Sequence, residues 1–306
     1  MESQSASAVL LVRPAAFAFN AEAARSNVFA HASGDPELER KALAEFEDLA
    51  RRLSDAGVEV LVLEDTPRPA KPDAVFPNNW VSFHADGTMA LYPMANPSRR
   101  LERRPDAVAA LLRSRGFAID RVVDLSGHET DGRCLEGTGS LVLDRRRRLA
   151  FANLSPRTHS DVIAEFDRSL GYSTLVFDAR DPGGRPIYHT NVLLSLGTSF
   201  AFLCAEAIAP GDRNRVIDAI ESSSRTIVEL SFAQLRRFGC NLLELKSGKG
   251  EPVIALSDKA RACLKPDQVR ALEGFGELLD IPIPTIEAVG GGSVRCMIAE
   301  VHLPRR

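Results

Sequence analysis

A thiol, an imidazole and a carboxylate stand just ahead of three predicted strands, far apart in the chain. Cys296 follows the run Gly290–Ser293. His189 precedes a Thr-Asn pair, and Glu136 opens a Gly-Thr-Gly turn. A nucleophile, a base and a group that orients the base are the components of nucleophilic catalysis, and glycines permit the close backbone approaches of an active-site turn. The three residues therefore predict a cysteine nucleophile assisted by a histidine and a glutamate.

The other cysteines fit different roles. Cys204 lies within an apolar run and Cys263 lies on a predicted helix, where a cysteine usually behaves as a small buried hydrophobe. Cys240 also precedes a predicted strand and is a rival to Cys296 as the nucleophile. The histidine and the glutamate, each taken alone, are compatible with a structural imidazole and a surface acid. The conjunction of all three groups favours catalysis.

Three further patterns point to a metal, a nucleotide or a nucleic acid, and none is convincing. The cluster within His128–Cys134 does not have the spacing of a strong metal motif, and the chain has no Cys-x-x-Cys pair. Gly137-x-Gly139 lacks the rest of the dinucleotide fingerprint. The basic run Arg145–Arg148 lies between two apolar stretches and predicts a solvated hairpin turn. No metal site is predicted.

Composition and charge argue against several classes of protein. The 306 residues are 44% apolar, and 38 basic against 41 acidic residues give a net charge of −3. Nucleic-acid binders usually carry a clear basic excess. No segment approaches the roughly 20 apolar residues that span a bilayer, the N-terminus lacks the basic region of a secretory signal, and scattered cysteines suit a reducing compartment. We expect a cytoplasmic protein that binds neither nucleic acid nor membrane.

The elements that must position these residues are clearest around the arginine run. Ser140–Leu143 and Leu149–Asn153 have the apolar character of strands. Ser155-Pro156 predicts a helix cap followed by the first helical residue. Gly171 predicts the end of that helix, and Thr174–Phe177 predicts a third strand. The predicted unit is strand, strand, helix, strand.

The same order recurs four more times, and the last copy is split between the termini. In each copy the ranges stand in the order strand, strand, helix, closing segment: the first copy has 80–83, 89–92, 107–115 and 122–123, and the second has 192–194, 200–203, 213–220 and 227–228. The third has 242–245, 253–256, 267–278 and a segment near 286. The copy that is split between the termini has 297–303, 9–12, 37–52 and 58–63. A repeat of about 40–60 residues closed by its own ends predicts a propeller-like ring. Residues 1–306 then form a single domain. The positions ahead of each first strand converge on one mouth of the ring, a common ligand site.

The ring and its motifs resemble the guanidino-group-modifying superfamily of arginine deiminases, dimethylarginine dimethylaminohydrolases and amidinotransferases. The segments that look like its citrulline-utilisation hydrolase branch are Val12-Arg13-Pro14 with Asn20, Asp73–Trp80, Leu135–Ser140 and His189-Thr190-Asn191. The resemblance covers nearly the whole chain. It implies an α/β fold, the five-bladed α/β propeller (pentein) of pseudo-symmetric ββαβ units, with no metal and no organic cofactor.

The resemblance also implies roles by position. Cys296 attacks the central carbon of the substrate and forms a covalent thiouronium-like intermediate. His189 protonates the leaving amine and then activates water, and Glu136 orients His189. Arg99 and Arg157 resemble the pair that grips the substrate α-carboxylate, a task that suits the planar fork of arginine. A solvated turn residue is the alternative interpretation of Arg99.

Two asparagines depart from the pattern of the superfamily. Deiminases and dimethylarginine hydrolases carry an aspartate where Asn79 stands, and deiminases carry a second acid where Asn191 stands. Both changes remove negative charge from the place of a guanidinium, and an amide can both accept and donate hydrogen bonds. The pair suits a neutral ureido group at least as well as a guanidinium. Asn78 and the acidic Asp73 complete the predicted substrate-binding set.

The resulting prediction is a hydrolase that cleaves C–N bonds at the ureido or guanidino carbon of citrulline or arginine. It would act as a citrulline hydrolase, or as an arginine dihydrolase that yields ornithine and ammonia. A dimethylarginine dimethylaminohydrolase or an arginine deiminase is the alternative, and a non-catalytic propeller that binds a ligand is a third hypothesis. The predicted partner is a small-molecule amino-acid substrate, and the residues leave a homodimer open.

Overall fold

The computed structural model describes residues 2–306. Within this range, fifteen strands form five three-stranded sheets. The strands are β1 Ala8–Arg13, β2 Glu59–Glu64, β3 Val81–Phe83, β4 Thr88–Leu91, β5 Arg121–Asp124, β6 Leu141–Asp144, β7 Leu149–Asn153, β8 Ser173–Phe177, β9 Leu194–Leu196, β10 Phe200–Leu203, β11 Thr226–Glu229, β12 Leu243–Lys246, β13 Pro252–Ser257, β14 Glu277–Ile281 and β15 Ala299–Val301.

Each sheet has a middle strand that runs antiparallel to the first strand and parallel to the last. In the third sheet, for example, β7 pairs antiparallel with β6 and parallel with β8. The strand orders are β15-β1-β2, β3-β4-β5, β6-β7-β8, β9-β10-β11 and β12-β13-β14. The sheet β15-β1-β2 combines strands from both ends of the chain. The predicted α/β fold of five repeated three-stranded units is therefore confirmed, with its last unit split between the termini.

Helices connect the parallel strands, because a parallel pair needs a long crossover. The helices are α1 Leu38–Asp55, α2 Pro97–Arg100, α3 Pro105–Ser114, α4 Gly137–Ser140, α5 Ser160–Leu170, α6 Pro210–Glu221, α7 Phe232–Leu235, α8 Asp258–Ala262, α9 Pro266–Glu273 and α10 Pro284–Gly290. Short 3-10 turns occupy 23–25, 77–79, 126–131, 190–192, 205–207 and 294–297. None of the helices in residues 2–306 is long and apolar enough to cross a membrane.

Apolar periodicity explains how these elements pack. The middle strand β10 is a continuous apolar run that is buried on both faces, as expected of a strand covered by a helix on one side and a neighbouring sheet on the other. Helix α5 buries Val162, Ile163, Phe166 and Leu170 at helical spacing. It ends at Gly171, which has the left-handed φ of 69° that glycine adopts readily.

Two predicted boundaries were wrong. Helix α5 begins at Ser160 rather than at Pro156, because Ser155 and Thr158 exchange backbone hydrogen bonds and close a turn first. The closing strand of the fourth copy is β14, whereas Ile286, where that strand was expected, lies in α10. A proline at the first position of α10 starts a new helix there.

The arginine run is also only partly solvated. Its residues do form the predicted turn between β6 and β7. Arg145, however, is buried and ion-pairs with Glu2 and Glu300. The other three arginines are partly or fully exposed. Only Arg145 of this run is therefore part of a buried ion-pair cluster, and the sequence of the run does not show which of its arginines is buried.

The first strands of the sheets lie near one another and gather the turns that precede them. Strand β15 contacts β3, β6 contacts β9, and β9 contacts β12. The 3-10 turn at 77–79 contacts both the turn at 294–297 and α4, which also contacts the turn at 190–192. Four segments that are remote in sequence thus meet in one region. These segments contain Asn78, Asn79, Asn191 and Cys296, and two of them begin directly after Glu136 and His189.

Candidate active site

The predicted nucleophile and base both line one small cavity. Cys296 belongs to the turn at 294–297, and His189 lies at the start of the turn at 190–192. The predicted site residues that line this cavity are Asp73, Asn79, Arg99, Arg157, His189 and Cys296. All six are buried. Within residues 2–306, His189 and Cys296 make no direct hydrogen bond to each other.

Glu136 holds the imidazole of His189 by one edge. The His189 Nε2 atom lies 2.8 Å from Glu136 Oε2. The opposite edge rests on Gly139, where an added Cβ would lie 2.7 Å from His189 Nδ1. Burial lowers the pKa of His189 to about 4 despite the nearby carboxylate. Burial alone would raise the pKa of Glu136, but Arg157 and His189 outweigh it and lower that pKa well below its usual range. The pair therefore rests as a neutral imidazole beside a carboxylate.

Arg99 is buried rather than solvated. Its guanidinium makes two hydrogen bonds to Glu102, of 2.9 and 2.8 Å, and its Nη1 donates to Asn79 Oδ1 at 2.8 Å. Burial opposes the charge on Arg99, but the Glu102 carboxylate outweighs it and raises the pKa of Arg99. The donors of Arg99 are thus engaged by protein groups, and its α-carboxylate role stays a prediction.

Arg157 links the carboxylate of Glu136 to the segment of residues 20–31, which we call the cover segment. Its Nη1 donates to Glu136 at 3.2 Å, its Nη2 donates to the carbonyl of Ala23 at 2.8 Å, and its Nε donates to Ser26 at 2.9 Å. The guanidinium also stacks over the ring of Tyr188, 4.9 Å from the ring centre. Its role toward a substrate carboxylate also stays a prediction.

The cover segment is tied down at several further points. Asn20 Nδ2 donates to Asp73 at 2.9 Å, and Asn27 Nδ2 donates to the carbonyl of Gly291 at 3.0 Å. Sequence reasoning singled out Asn20 but assigned no role to the segment as a whole. Its irregular backbone gives no periodic pattern in the sequence. Only the three-dimensional contacts reveal that Ala23 and Asn27 of this segment line the cavity.

The asparagine side chains of the site differ in how many of their amide atoms have hydrogen-bond partners. Asn79 uses its oxygen to accept from Arg99, while its buried Nδ2 has no partner within residues 2–306. Asn78 is buried with neither amide atom paired in that range. Asn191 directs Nδ2 toward the Cys296 sulfur at 3.7 Å, and its Oδ1 is unpaired in the same range. Asp73 is buried, and burial raises the pKa of Asp73.

The sulfur of Cys296 also contacts a residue that sequence reasoning missed. Asn241 Nδ2 lies 3.4 Å from Cys296 Sγ. The neighbouring Cys240, the predicted rival, is fully buried in an apolar cluster, and burial raises the pKa of Cys240 well above the usual value. Asn241 and Cys240 both precede the first strand of their unit, but only the thiol was recognised there as a candidate functional group.

The other patterns noted in the sequence are engaged elsewhere. His128 pairs with Glu165, and Glu129 pairs with Arg103. Within residues 2–306, no group of three or more histidine, cysteine, aspartate or glutamate side chains could hold a metal ion.

A comparison with protein families now places the chain. The family described as N,N dimethylarginine dimethylhydrolase, eukaryotic, matches residues 13–303. The chain belongs to this family. The resemblance to the guanidino-modifying superfamily is thereby confirmed, and the description of the matching family names a hydrolase.

Solved structures share the fold of this dimethylarginine dimethylhydrolase family member. Apo ArgZ, an arginine dihydrolase from the ornithine-ammonia cycle in cyanobacteria, is 18% identical with a TM-score of 0.71, over 98% of this chain and 41% of that one. A dimethylarginine dimethylaminohydrolase adduct with S-methyl-L-thiocitrulline is 14% identical with a TM-score of 0.66, over 98% of this chain and 99% of that one.

Coverage differs among these proteins. AgrE in complex with L-arginine is 16% identical with a TM-score of 0.71, and this chain covers 40% of its length. The family member described here thus spans about two fifths of the full-length ArgZ and AgrE chains. Among curated proteins, none matches it.

Proposed function

We propose that this protein hydrolyses the ureido carbon of citrulline, or the guanidino carbon of arginine through citrulline, and yields ornithine and ammonia. The observation that carries the proposal is the unpaired Nδ2 of Asn79. A donor at this position complements the carbonyl oxygen of a neutral ureido group. It complements a guanidinium less well, because a guanidinium carries only donors.

The orientation of the Asn79 amide follows from its neighbour. A guanidinium has no acceptor, so Arg99 Nη1, 2.8 Å away, can bond only the oxygen of that amide. Rotation of the amide would bring two donors together and leave both unsatisfied. Glu102 holds Arg99 in place through two hydrogen bonds. The Nδ2 of Asn79 is therefore the group left for a ligand.

The reaction begins at the sulfur. Cys296 gives its proton to the neutral His189 and attacks the central carbon. His189 then passes that proton to the departing ammonia, and Glu136 stabilises the imidazolium between the two events. With citrulline, the intermediate is a thiocarbamate in which the former central carbon joins the Cys296 sulfur and the ornithine nitrogen.

Water completes the cycle. His189, neutral again, takes a proton from a water that attacks the thiocarbamate carbon. The C–S bond then breaks to release the thiolate, which recovers that proton from His189. The product is a carbamate on the ornithine side chain, which loses carbon dioxide to give ornithine. With arginine, one earlier round of attack, loss of ammonia and hydrolysis supplies citrulline. The N-terminal domain of ArgZ has been solved covalently bound to a reaction intermediate, which supports covalent chemistry on this fold.

We also infer that the five sheets close into a five-bladed propeller within a single domain, residues 1–306. Support comes from the sheet β15-β1-β2, which combines both ends of the chain. Further support comes from contacts between first strands of successive sheets. In such a ring, the cavity at Cys296 lies at one mouth of the central channel.

Hydrolysis of dimethylarginine is the second candidate, because the matching family carries that name. Incubation of the purified protein with citrulline, arginine and dimethylarginine, with products identified by mass, separates the two. We expect ornithine from citrulline, and no product in the Cys296→Ala variant. Dimethylamine as the main product, with citrulline left intact, would transfer the assignment to the second candidate.

A further inference from the structure

Two amide groups face the sulfur of the nucleophile. Asn241 Nδ2 lies 3.4 Å from Cys296 Sγ, and Asn191 Nδ2 lies 3.7 Å from the same atom. Asn241 is completely buried and Asn191 nearly so. These distances fit N–H donors to sulfur, whose larger radius lengthens a hydrogen bond.

The orientation of the Asn241 amide is fixed by the backbone. The N–H of Arg295 donates to Asn241 Oδ1 at 3.1 Å, so the oxygen of this amide is held by the residue next to the nucleophile. The same oxygen lies 3.8 Å from Cys296 Sγ and can accept from the protonated thiol, whereas the NH₂ group lies closer to the sulfur, at 3.4 Å. One of its hydrogens faces the carbonyl of Asn191 at 3.4 Å, and the other faces the sulfur.

The neighbouring charges are directed elsewhere. The guanidinium of Arg295 donates to Glu300 at 3.0 Å and to the carbonyl of Ile298 at 3.0 Å. His189 is held by Glu136 rather than by the sulfur. The two amides are thus the polar groups that directly contact the sulfur within residues 2–306.

We propose that Asn241, together with Asn191, forms an N–H···S cradle that stabilises the thiolate of Cys296, which makes Asn241 a catalytic residue. The proposal rests on the proposed function, in which Cys296 is the nucleophile. A hydrogen bond to a charged acceptor is roughly twice as strong as a neutral one, so the cradle favours the thiolate over the thiol. The same N–H groups stabilise the sulfur when the C–S bond breaks and the thiolate leaves.

The rate at which a haloacetamidine alkylates Cys296, measured from pH 5 to 9, tests the cradle. In Asn241→Ala we expect the midpoint of the pH–rate curve to move up by about one unit, equivalent to one lost hydrogen bond to a charged group. Asn241→Asp keeps an acceptor for the Arg295 N–H but places a carboxylate beside the sulfur, so its midpoint moves further. Asn191→Ala, which removes the longer contact, moves it less.

Gln234→Ala is the matched control. Gln234 is also a buried amide, but it bonds Ser231, Cys263 and Gln268, and it does not line the cavity. Its pH–rate curve should equal that of the unchanged protein. Circular dichroism identifies the folded variants, and Asn191→Ala keeps the test decisive if an Asn241 variant does not fold.

The outcomes separate the two proposals. Unchanged midpoints in folded Asn241 and Asn191 variants would overturn the cradle while Cys296 remains the nucleophile. An equal shift of the pH–rate midpoint in Asn241→Ala and Asn241→Asp would also overturn the cradle. If Asn241 only supported the structure, the negative charge of the aspartate would add nothing to the effect of losing the amide. Alkylation of a different cysteine in the unchanged protein, with activity kept in Cys296→Ala, would instead overturn the proposed function.

Discussion

At the scale of single residues, each buried polar group determines how the next one is oriented. Glu102 holds Arg99, and Arg99 holds the oxygen of Asn79. Arg157 and His189 share Glu136, which keeps that carboxylate ionised. A buried network of this kind specifies one arrangement, because any member that turned would leave its partner unsatisfied. The specificity of the site therefore depends on residues behind those that touch the substrate.

Asn79→Asp tests the first of these chains. A carboxylate offers acceptors only, so it would pair with a guanidinium and repel a ureido oxygen. We expect citrulline hydrolysis to fall about tenfold to a hundredfold, for a lost or reversed hydrogen bond of about 1–3 kcal/mol. Arginine turnover that survives should accumulate citrulline. Both substrates are measured on the same folded protein, and equal losses would mean that Asn79 only supports the pocket.

The acid limb of the activity profile tests the resting state of His189. Burial lowers the pKa of His189 from 6.5 to about 4, so the imidazole can accept the Cys296 proton at any pH above that value. We expect kcat/KM for citrulline to fall on the acid side near pH 4. The unfolded chain binds this proton at a higher pH, so the free energy of unfolding also declines as pH drops from 6.5 to 4.

Melting temperatures in the same buffers separate these two effects. A decline of kcat/KM near pH 6.5 in protein that remains folded would contradict a neutral buried imidazole. In that case, Glu136 would hold the proton on His189 at rest.

The sequence singles out the proposed reacting groups and the pairing of His189 with Glu136, but not the other polar partners. Cys296, His189 and Asn79 were recognisable because thiol, imidazole and amide recur ahead of first strands. Arg99 was expected to hold a substrate or to lie in solvent, yet it faces Glu102, one helical turn away. Asn241 carried the same positional signal as the others. Asparagines are common in turns, so this position alone does not identify Asn241 as a functional residue. The distance from its Nδ2 to the Cys296 sulfur does.

At the scale of elements, the site depends on two irregular segments that pack against each other. The glycine run Gly290–Gly292 leads into the turn of Cys296, and the cover segment lies against it. Gly291 has a φ of +66°, and an added Cβ would lie 2.6 Å from Asn27 Nδ2. Regular strands were predictable from apolar patterning. This contact was not, because it depends on the absence of a side chain in one segment and a loop path in another.

Gly291→Ala should therefore impair activity beyond its effect on stability. A left-handed alanine costs about 1–2 kcal/mol, and the new methyl group also displaces the cover segment. Gly250→Ala is the matched control, because Gly250 has a φ of +84° and no atom within 4 Å of an added Cβ. We expect a larger loss of thermal stability in Gly291→Ala, because its added Cβ would also lie 2.7 Å from the backbone nitrogen of Ala30. We also expect an increase in KM for citrulline of about tenfold in folded Gly291→Ala alone. Equal KM values would mean that the cover segment does not contribute to binding.

At the scale of the whole molecule, a buried cluster of charges connects the sheet formed by both termini to the turn that contains Cys296. Glu300, on β15, contacts Arg295 at 3.0 Å, His302 at 3.3 Å and Arg145 at 3.8 Å. Burial alone would raise the pKa of Glu300, but Arg145 and Arg295 outweigh it and lower that pKa well below its usual range. One carboxylate thus neutralises arginines from two distant parts of the chain.

Glu300→Gln removes that charge with little change in shape. Two buried guanidiniums then lose a carboxylate, and breaking a buried pair costs about 3–5 kcal/mol because it leaves uncompensated charge in the interior. The exposed pair of Arg305 and Glu59 provides the control, since Glu59→Gln should cost less than about 1 kcal/mol. Urea unfolding of both variants measures the difference.

Because Arg295 precedes Cys296, the alkylation rate of Cys296 in folded Glu300→Gln should change as well. A loss of stability below about 1 kcal/mol in Glu300→Gln would mean that Glu2 and water compensate the arginines, and that the ends of the chain are joined mainly by apolar packing.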